Sequence, residues 1–253
     1  MTIAIIIAGL LALISSFLLF FSGLFTVPLY KKTQDDIFLH VTLVLFLFAT
    51  TLFITGLFAI FLPEVMSEAF QDLGLMELPF LLKIVIIFML LTSLEFTLVY
   101  TNISSNRLYF IEKYLPIIPP LFIGWILAST FVENEVLDTI SFFSLYVFTF
   151  LVDIMVILLL IRLRNVRTKF YDRKPEFALS THLLIMLAAF LVYQSGDLIG
   201  FLGLLISSDI YILAMAAQLV LLPIFSFFLL FQSHSIWKIL DKINYSLLLN
   251  ELN

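Results

Sequence analysis

The sequence predicts an all-α, polytopic membrane protein with seven transmembrane helices, its N-terminus outside and its C-terminus in the cytoplasm. Composition, blocks of apolar residues and the placement of the basic residues lead there. Of the 253 residues, 62% are hydrophobic and 12% are charged, with a mean hydropathy of +1.16. A water-soluble domain of this size needs more charge than that to cover its surface. The apolar residues fall in runs long enough to cross a hydrocarbon core about 30 Å thick as helices rising about 1.5 Å per residue. None shows the dyad alternation of barrel strands, and backbone groups in lipid must be satisfied within the segment, so the runs are helical.

The spans are predicted at 3–29, 38–62, 79–101, 115–132, 139–161, 178–206 and 210–232. The first has no basic residue before it and is too long for a removable leader, which predicts a retained helix. The second carries His40 near its start and is otherwise apolar. The third holds Lys83 near one end and Glu95 deep inside, within "SLEFTLVYTN". Pro116, Pro119 and Pro120 begin the fourth and are expected to distort its first turn. The fifth contains Asp153. The sixth contains Asp197 beside Gly196, Gly200 and Gly203, a small-residue face for close helix approach. The seventh contains Gln218, and Pro223 is expected to kink it.

Orientation follows from the connections. Those between spans 2–3, 4–5 and 6–7 carry only acids, among them Glu64, Glu68, Asp72, Glu77, Glu133 and Asp209. Twelve of the thirteen basic residues lie on the opposite side, and Lys83 is the exception, expected to snorkel toward outer water. The positive-inside bias makes the basic side cytoplasmic. There, "RLRNVRTKFYDRKP" supplies Arg162, Arg164, Arg167, Lys169, Arg173 and Lys174, a basic face that anchors topology and attracts anionic headgroups or an acidic partner. The "NIS" sequon at 102–104 faces the same side and is not expected to be modified. Residues 1–233 read as the membrane domain. Residues 234–253 read as an amphipathic cytoplasmic tail helix, with Ile236, Leu240, Ile243 and Leu247 on one stripe.

Acids within spans are rare and usually face the bundle interior, so Glu95, Asp153, Asp197 and Gln218 are the candidate ligand- or proton-binding residues. Glu95 and Asp153 sit about 10 and 13 Å from the inner boundary by helical rise, which allows a shared polar layer. Asp197 and Gln218 lie at one level nearer the outer face. No Lys or Arg lies beside the acids, so pairing with one is not expected. His40 and His182 near the inner ends read as interfacial residues rather than haem ligands. No metal site, catalytic constellation or cofactor is expected. The chain has no cysteine, which excludes disulfides, thiolate metal sites and a cysteine nucleophile. Nothing supports a nucleic-acid role.

"FTLVYTNISSNRLYFIEKYLPIIPPLF" (96–122) has an aromatic-rich span end, a short polar loop and a proline-containing following span. In this, and in its topology, the chain resembles the seven-helix membrane sensor region at the N-terminus of many prokaryotic histidine kinases. These residues contain no ATP-binding glycine motif and no phospho-accepting histidine box. The resemblance therefore implies a sensor-like membrane fold without its own output. The expected function is a non-enzymatic, multi-pass cell-membrane sensor or receptor that binds a small or lipophilic ligand in the bundle. It signals through a separate cytoplasmic partner or as a homo-oligomer. The alternative is a proton- or cation-coupled transporter using the intramembrane acids.

Overall fold

A computed structural model of the chain describes residues 2–64, 80–103, 117–129, 135–206, 208–245, 247 and 251. They form α1 (Thr2–Thr33), α2 (Asp36–Phe61), α3 (Phe80–Ile103), α4 (Ile118–Ser129), α5 (Glu135–Lys169), α6 (Lys174–Ile206) and α7 (Ser208–Ile239), then a 3-10 turn at Leu240–Lys242. No strand occurs among the described residues. Within them, five stretches are long and apolar enough to cross a membrane: Ile5–Thr33, Asp36–Phe61, Tyr146–Lys169, Lys174–Ser195 and Val220–Lys242. The chain is a helical membrane protein. Glu68, Asp72, Glu77, Glu133, Arg107 and Lys113, used above for orientation, lie outside the described residues, as does most of the loop that carries the sensor-like pattern.

The helix ends at the basic side are built from local electrostatics. Lys31 and Lys32 close α1, Arg167 and Lys169 close α5, and Lys238 closes α7. Each sits at the negative end of a helix dipole. Helices starting there carry acids: Asp35 caps α2 by accepting from the Ile37 N–H at 2.9 Å, and Glu176 lies in the first turn of α6. Between α1 and α2, Gln34 adopts φ 54° and donates its N–H to the Tyr30 carbonyl at 2.8 Å, a left-handed helix stop that reverses the chain in two residues.

Two elements differ from expectation. The basic stretch from Arg162 to Lys169 is the end of α5, not a loop, and only residues 170–173 connect it to α6. The reason is that Leu163, Val166 and Phe170, spaced i, i+3, i+7, are all buried in the core and carry the helix onward. Likewise, α7, which contains Pro223, continues past His234 to Ile239 before the chain turns.

Each helix packs on its sequence neighbour, and α1 also packs on α7, which closes the bundle. Lipid is as apolar as leucine, so close fit and interhelical hydrogen bonds hold such a bundle more than expulsion of water does. The α1–α2 contact shows both. A Cβ on Gly9 would lie 2.8 Å from the Gly56 carbonyl oxygen, and one on Gly56 would lie 2.9 Å from that of Gly9. The Ser16 hydroxyl donates to the Ala49 carbonyl at 2.7 Å. Centrally, the Phe190 ring of α6 meets Phe96 of α3 at 3.9 Å between centroids and Phe48 of α2 at 6.0 Å.

Candidate functional site

Polar side chains inside an apolar bundle need partners, and most find one on their own helix. Thr42, Thr51, Thr92 and Ser93 each donate to the carbonyl four residues back. Glu95 cannot be satisfied this way. It lies two turns before the end of α3, and His40 lies one turn into the antiparallel α2. Their side chains meet, with His40 Nδ1 at 2.6 Å from Glu95 Oε2. Only 18% and 16% of the two side chains are exposed. Two bare acceptors do not approach so closely, so one proton lies between imidazole and carboxylate.

His40 is the residue that sequence reasoning assigned elsewhere. It is the partner of Glu95, which supplies the pairing that the absence of Lys and Arg seemed to rule out. The signal was present. Counted at about 1.5 Å per residue from the same membrane side, the two positions lie within a side chain's reach of one level.

Farther from the basic end, α2, α3 and α6 enclose a mostly apolar cavity of about 10 Å³, with Phe48, Thr51, Met89, Thr92, Phe190 and Gln194 among its lining residues. That is room for one water molecule, not for a drug-sized ligand. The Gln194 carbonyl oxygen on this wall is buried without a hydrogen-bond partner among the described residues. The pair joins α2 to α3, and the cavity lies where α6 meets both.

The remaining candidates sit on α5, α6 and α7. Asp153 is buried on α5. Gln218 donates its side-chain N–H to the Tyr193 carbonyl at 2.7 Å, joining α7 to α6. Asp197 lies within α6, but its side chain falls outside the described residues, as do Gly196, Gly200 and Gly203 beyond their helical backbone. Lys83, expected to snorkel outward, is instead only 7% exposed. His182 is fully buried, with Nδ1 at 3.4 Å from the Ser233 hydroxyl. That hydroxyl already donates to the Leu229 carbonyl, so His182 carries its proton on Nδ1 and offers Nε2 as an acceptor. No cluster of three potential metal ligands occurs among the described residues. On the basic face, Arg162, Arg164, Arg167 and Lys169 sit on the last turns of α5, where the Arg167 guanidinium stacks over Phe177 at 4.3 Å. Arg173 and Lys174 are exposed at the start of α6.

The segment after α7 folds back beneath the bundle at this basic end. Lys32 Nζ donates to the Leu240 carbonyl at 3.0 Å and pairs with Asp241 at 2.7 Å. The Asn244 N–H donates to the buried Glu176 carboxylate at 2.9 Å, and Lys169 pairs with Glu251. Tyr245 sets its ring against Phe38 of α2 and donates to the Leu240 carbonyl. Burial, and secondarily the Asp241 carboxylate, pushes the Tyr245 phenol up to about 12. The phenol's contribution to docking is therefore complete below its ordinary value of about 10 and lost only as pH rises through about 12. Removing the Glu176 carboxylate leaves the Asn244 N–H without its acceptor, a loss of about 1.5–3 kcal/mol for a bond to a charged group. Glu176→Ala is thus expected to speed tryptic cleavage at the exposed Lys242, whereas Glu176→Gln, which keeps an acceptor oxygen, should cleave more slowly than the alanine variant.

Comparison with protein-family models, with curated proteins and with solved structures finds no match for this chain.

Proposed function

We propose that this chain is a non-enzymatic sensor of the cell membrane that reads protonation at the His40–Glu95 pair and reports through its docked tail to a separate cytoplasmic partner. In this reading it crosses the bilayer seven times, with the N-terminus outside and the basic end in the cytoplasm. The confinement of Lys and Arg to the connections of one side, with none in the acid-bearing connections of the other, and the likeness to kinase-linked sensor regions support that topology. The observation that carries the function is the buried 2.6 Å contact between His40 and Glu95. As imidazolium and carboxylate, or as neutral imidazole and carboxylic acid, the pair is neutral overall. A further proton leaves a net positive charge in a low-dielectric interior, and loss of one leaves a net negative charge even though an Nδ1–H can still donate to the carboxylate. Either change favours a different spacing of α2 and α3, which is how a buried histidine biases a two-state element. Phe38, two residues before His40 on α2, is where the tail's Tyr245 docks, so movement of this turn is felt by the tail.

Because the chain has no cysteine, one reporter thiol tests this directly. A spin label on Asn244→Cys in lipid nanodiscs is expected to gain mobility between pH 8 and pH 5. The change should vanish in His40→Gln and Glu95→Gln but persist in variants at the buried His182 and Asp153 and in Glu176→Gln, which removes the buried carboxylate that holds the labelled residue's N–H. Tyr245 does not titrate in this range, so it cannot mimic the signal. A label with the same mobility at both pH values would refute the proposal.

One second reading, a proton- or cation-coupled carrier through α2, α3 and α6, is favoured by the Gln194 carbonyl oxygen left without a hydrogen-bond partner on the cavity wall among the described residues. Proton flux into liposomes that is abolished by Glu95→Gln would favour the carrier over the sensor.

A further inference from the structure

On the outside of the bundle, α1 and α7 leave a groove of about 320 Å³, lined by Phe21, Phe25, Phe227, Leu230, Phe231 and His234. We propose that this groove is a binding site for an anionic phospholipid of the leaflet at the basic end. Five of its six walls are apolar and face the bilayer, so an acyl chain is the matching occupant for its length. The end toward the basic side is different in kind. His234 lies edge-on to Phe25 at 5.3 Å and stacks on Trp237 at 6.0 Å, which fixes the imidazole at the groove's foot. Lys238 follows one turn later on the same face of α7, exposed and without an ion-pair partner among the described residues. The neighbouring Lys32 is already engaged by Asp241, whereas Lys31 is exposed at the end of α1. Trp237 is exposed beside the groove, and indoles favour the headgroup level. An apolar slot ending in an imidazole and a lysine suits an acyl chain and a phosphate in that order. The positive foot selects an anionic headgroup over a zwitterionic one, by about fivefold for one basic residue near the surface.

The chain has two tryptophans, which makes the site readable. In Trp125→Phe the remaining emission comes from Trp237, and the full chain is reconstituted with phosphatidylglycerol or phosphatidylcholine brominated near the carboxyl end of the acyl chain. Phosphatidylglycerol is expected to quench Trp237 with about fivefold higher relative affinity, falling toward parity in Lys238→Gln and in His234→Gln combined with it. Lys238 is exposed, so its replacement leaves folding intact. Parity in the parent chain would overturn the proposal, as would a preference that both variants retain. Absence of quenching by either lipid would also overturn it, because a second copy or a partner helix would then cover the groove. None of these outcomes depends on the sensing reading, which rests on α2 and α3.

Discussion

Leucine at position 40, with Glu95 retained, is expected to cost about 3 kcal/mol of stability at neutral pH, because it strands a carboxylate inside the bundle. Glu95→Leu alone strands an imidazole, which gives up its charge more readily, and should cost about 1–3 kcal/mol. The double replacement by leucine should recover most of the loss, since two apolar side chains of similar volume need no partner. A double-mutant cycle on reversible unfolding in mixed micelles measures the coupling. Its size reports the state of the shared proton. Neutral interhelical hydrogen bonds in membranes average about 0.6 kcal/mol, so a coupling of that order would describe a neutral acid–imidazole bond. A coupling of several kcal/mol would describe an ion pair, and that is the outcome expected at 2.6 Å in so dry a setting.

The α1–α2 crossing should be still less forgiving. At Gly9 and Gly56 the atoms that a new Cβ would strike are backbone carbonyl oxygens of the facing helix, at 2.8 and 2.9 Å. A side chain could swing aside, but a helix backbone can only move as a whole. Gly56→Ala is expected to cost about 1–3 kcal/mol as an overpacked contact. Gly56→Leu is expected to eliminate the folded species on size-exclusion chromatography. Gly124 supplies the control: a Cβ there meets nothing within 4 Å, so Gly124→Ala should leave stability unchanged or raise it by up to about 1 kcal/mol through helix propensity.

What could be read from the sequence divides along physical lines. Class and helical state were legible because solvent dictates them, and an apolar run in lipid has few alternatives. Seams between helices were less legible because they require knowing which faces meet. Glu95 announced itself as a charge in an apolar run, but its partner did not. Histidine near a helix start is commonplace at the interface, and depth had to be compared across two helices to link His40 to it. Gly9 and Gly56 form no motif at all, since each is a lone glycine and the contact exists only between them. The end of α5 was hidden by its own arginines, although Leu163, Val166 and Phe170 kept helical spacing through the charged stretch. The stripe of Ile236, Leu240, Ile243 and Leu247 was visible as amphipathic. Its apolar side packs upward against the bundle, with Ile236 and Ile243 buried.

The two-residue reversal at Gln34 and Asp35 has a bearing on biogenesis. Because α1 and α2 are joined so tightly, every contact that binds them is available once residue 61 has left the ribosome. Glycine against glycine, Ser16 onto Ala49 and Thr42 onto Thr26 all fall inside this first segment. Such a pair can enter the bilayer as a closed hairpin and then present a finished surface on which later helices assemble. Newly made chain would thus wait in the membrane with about its first quarter already in final form.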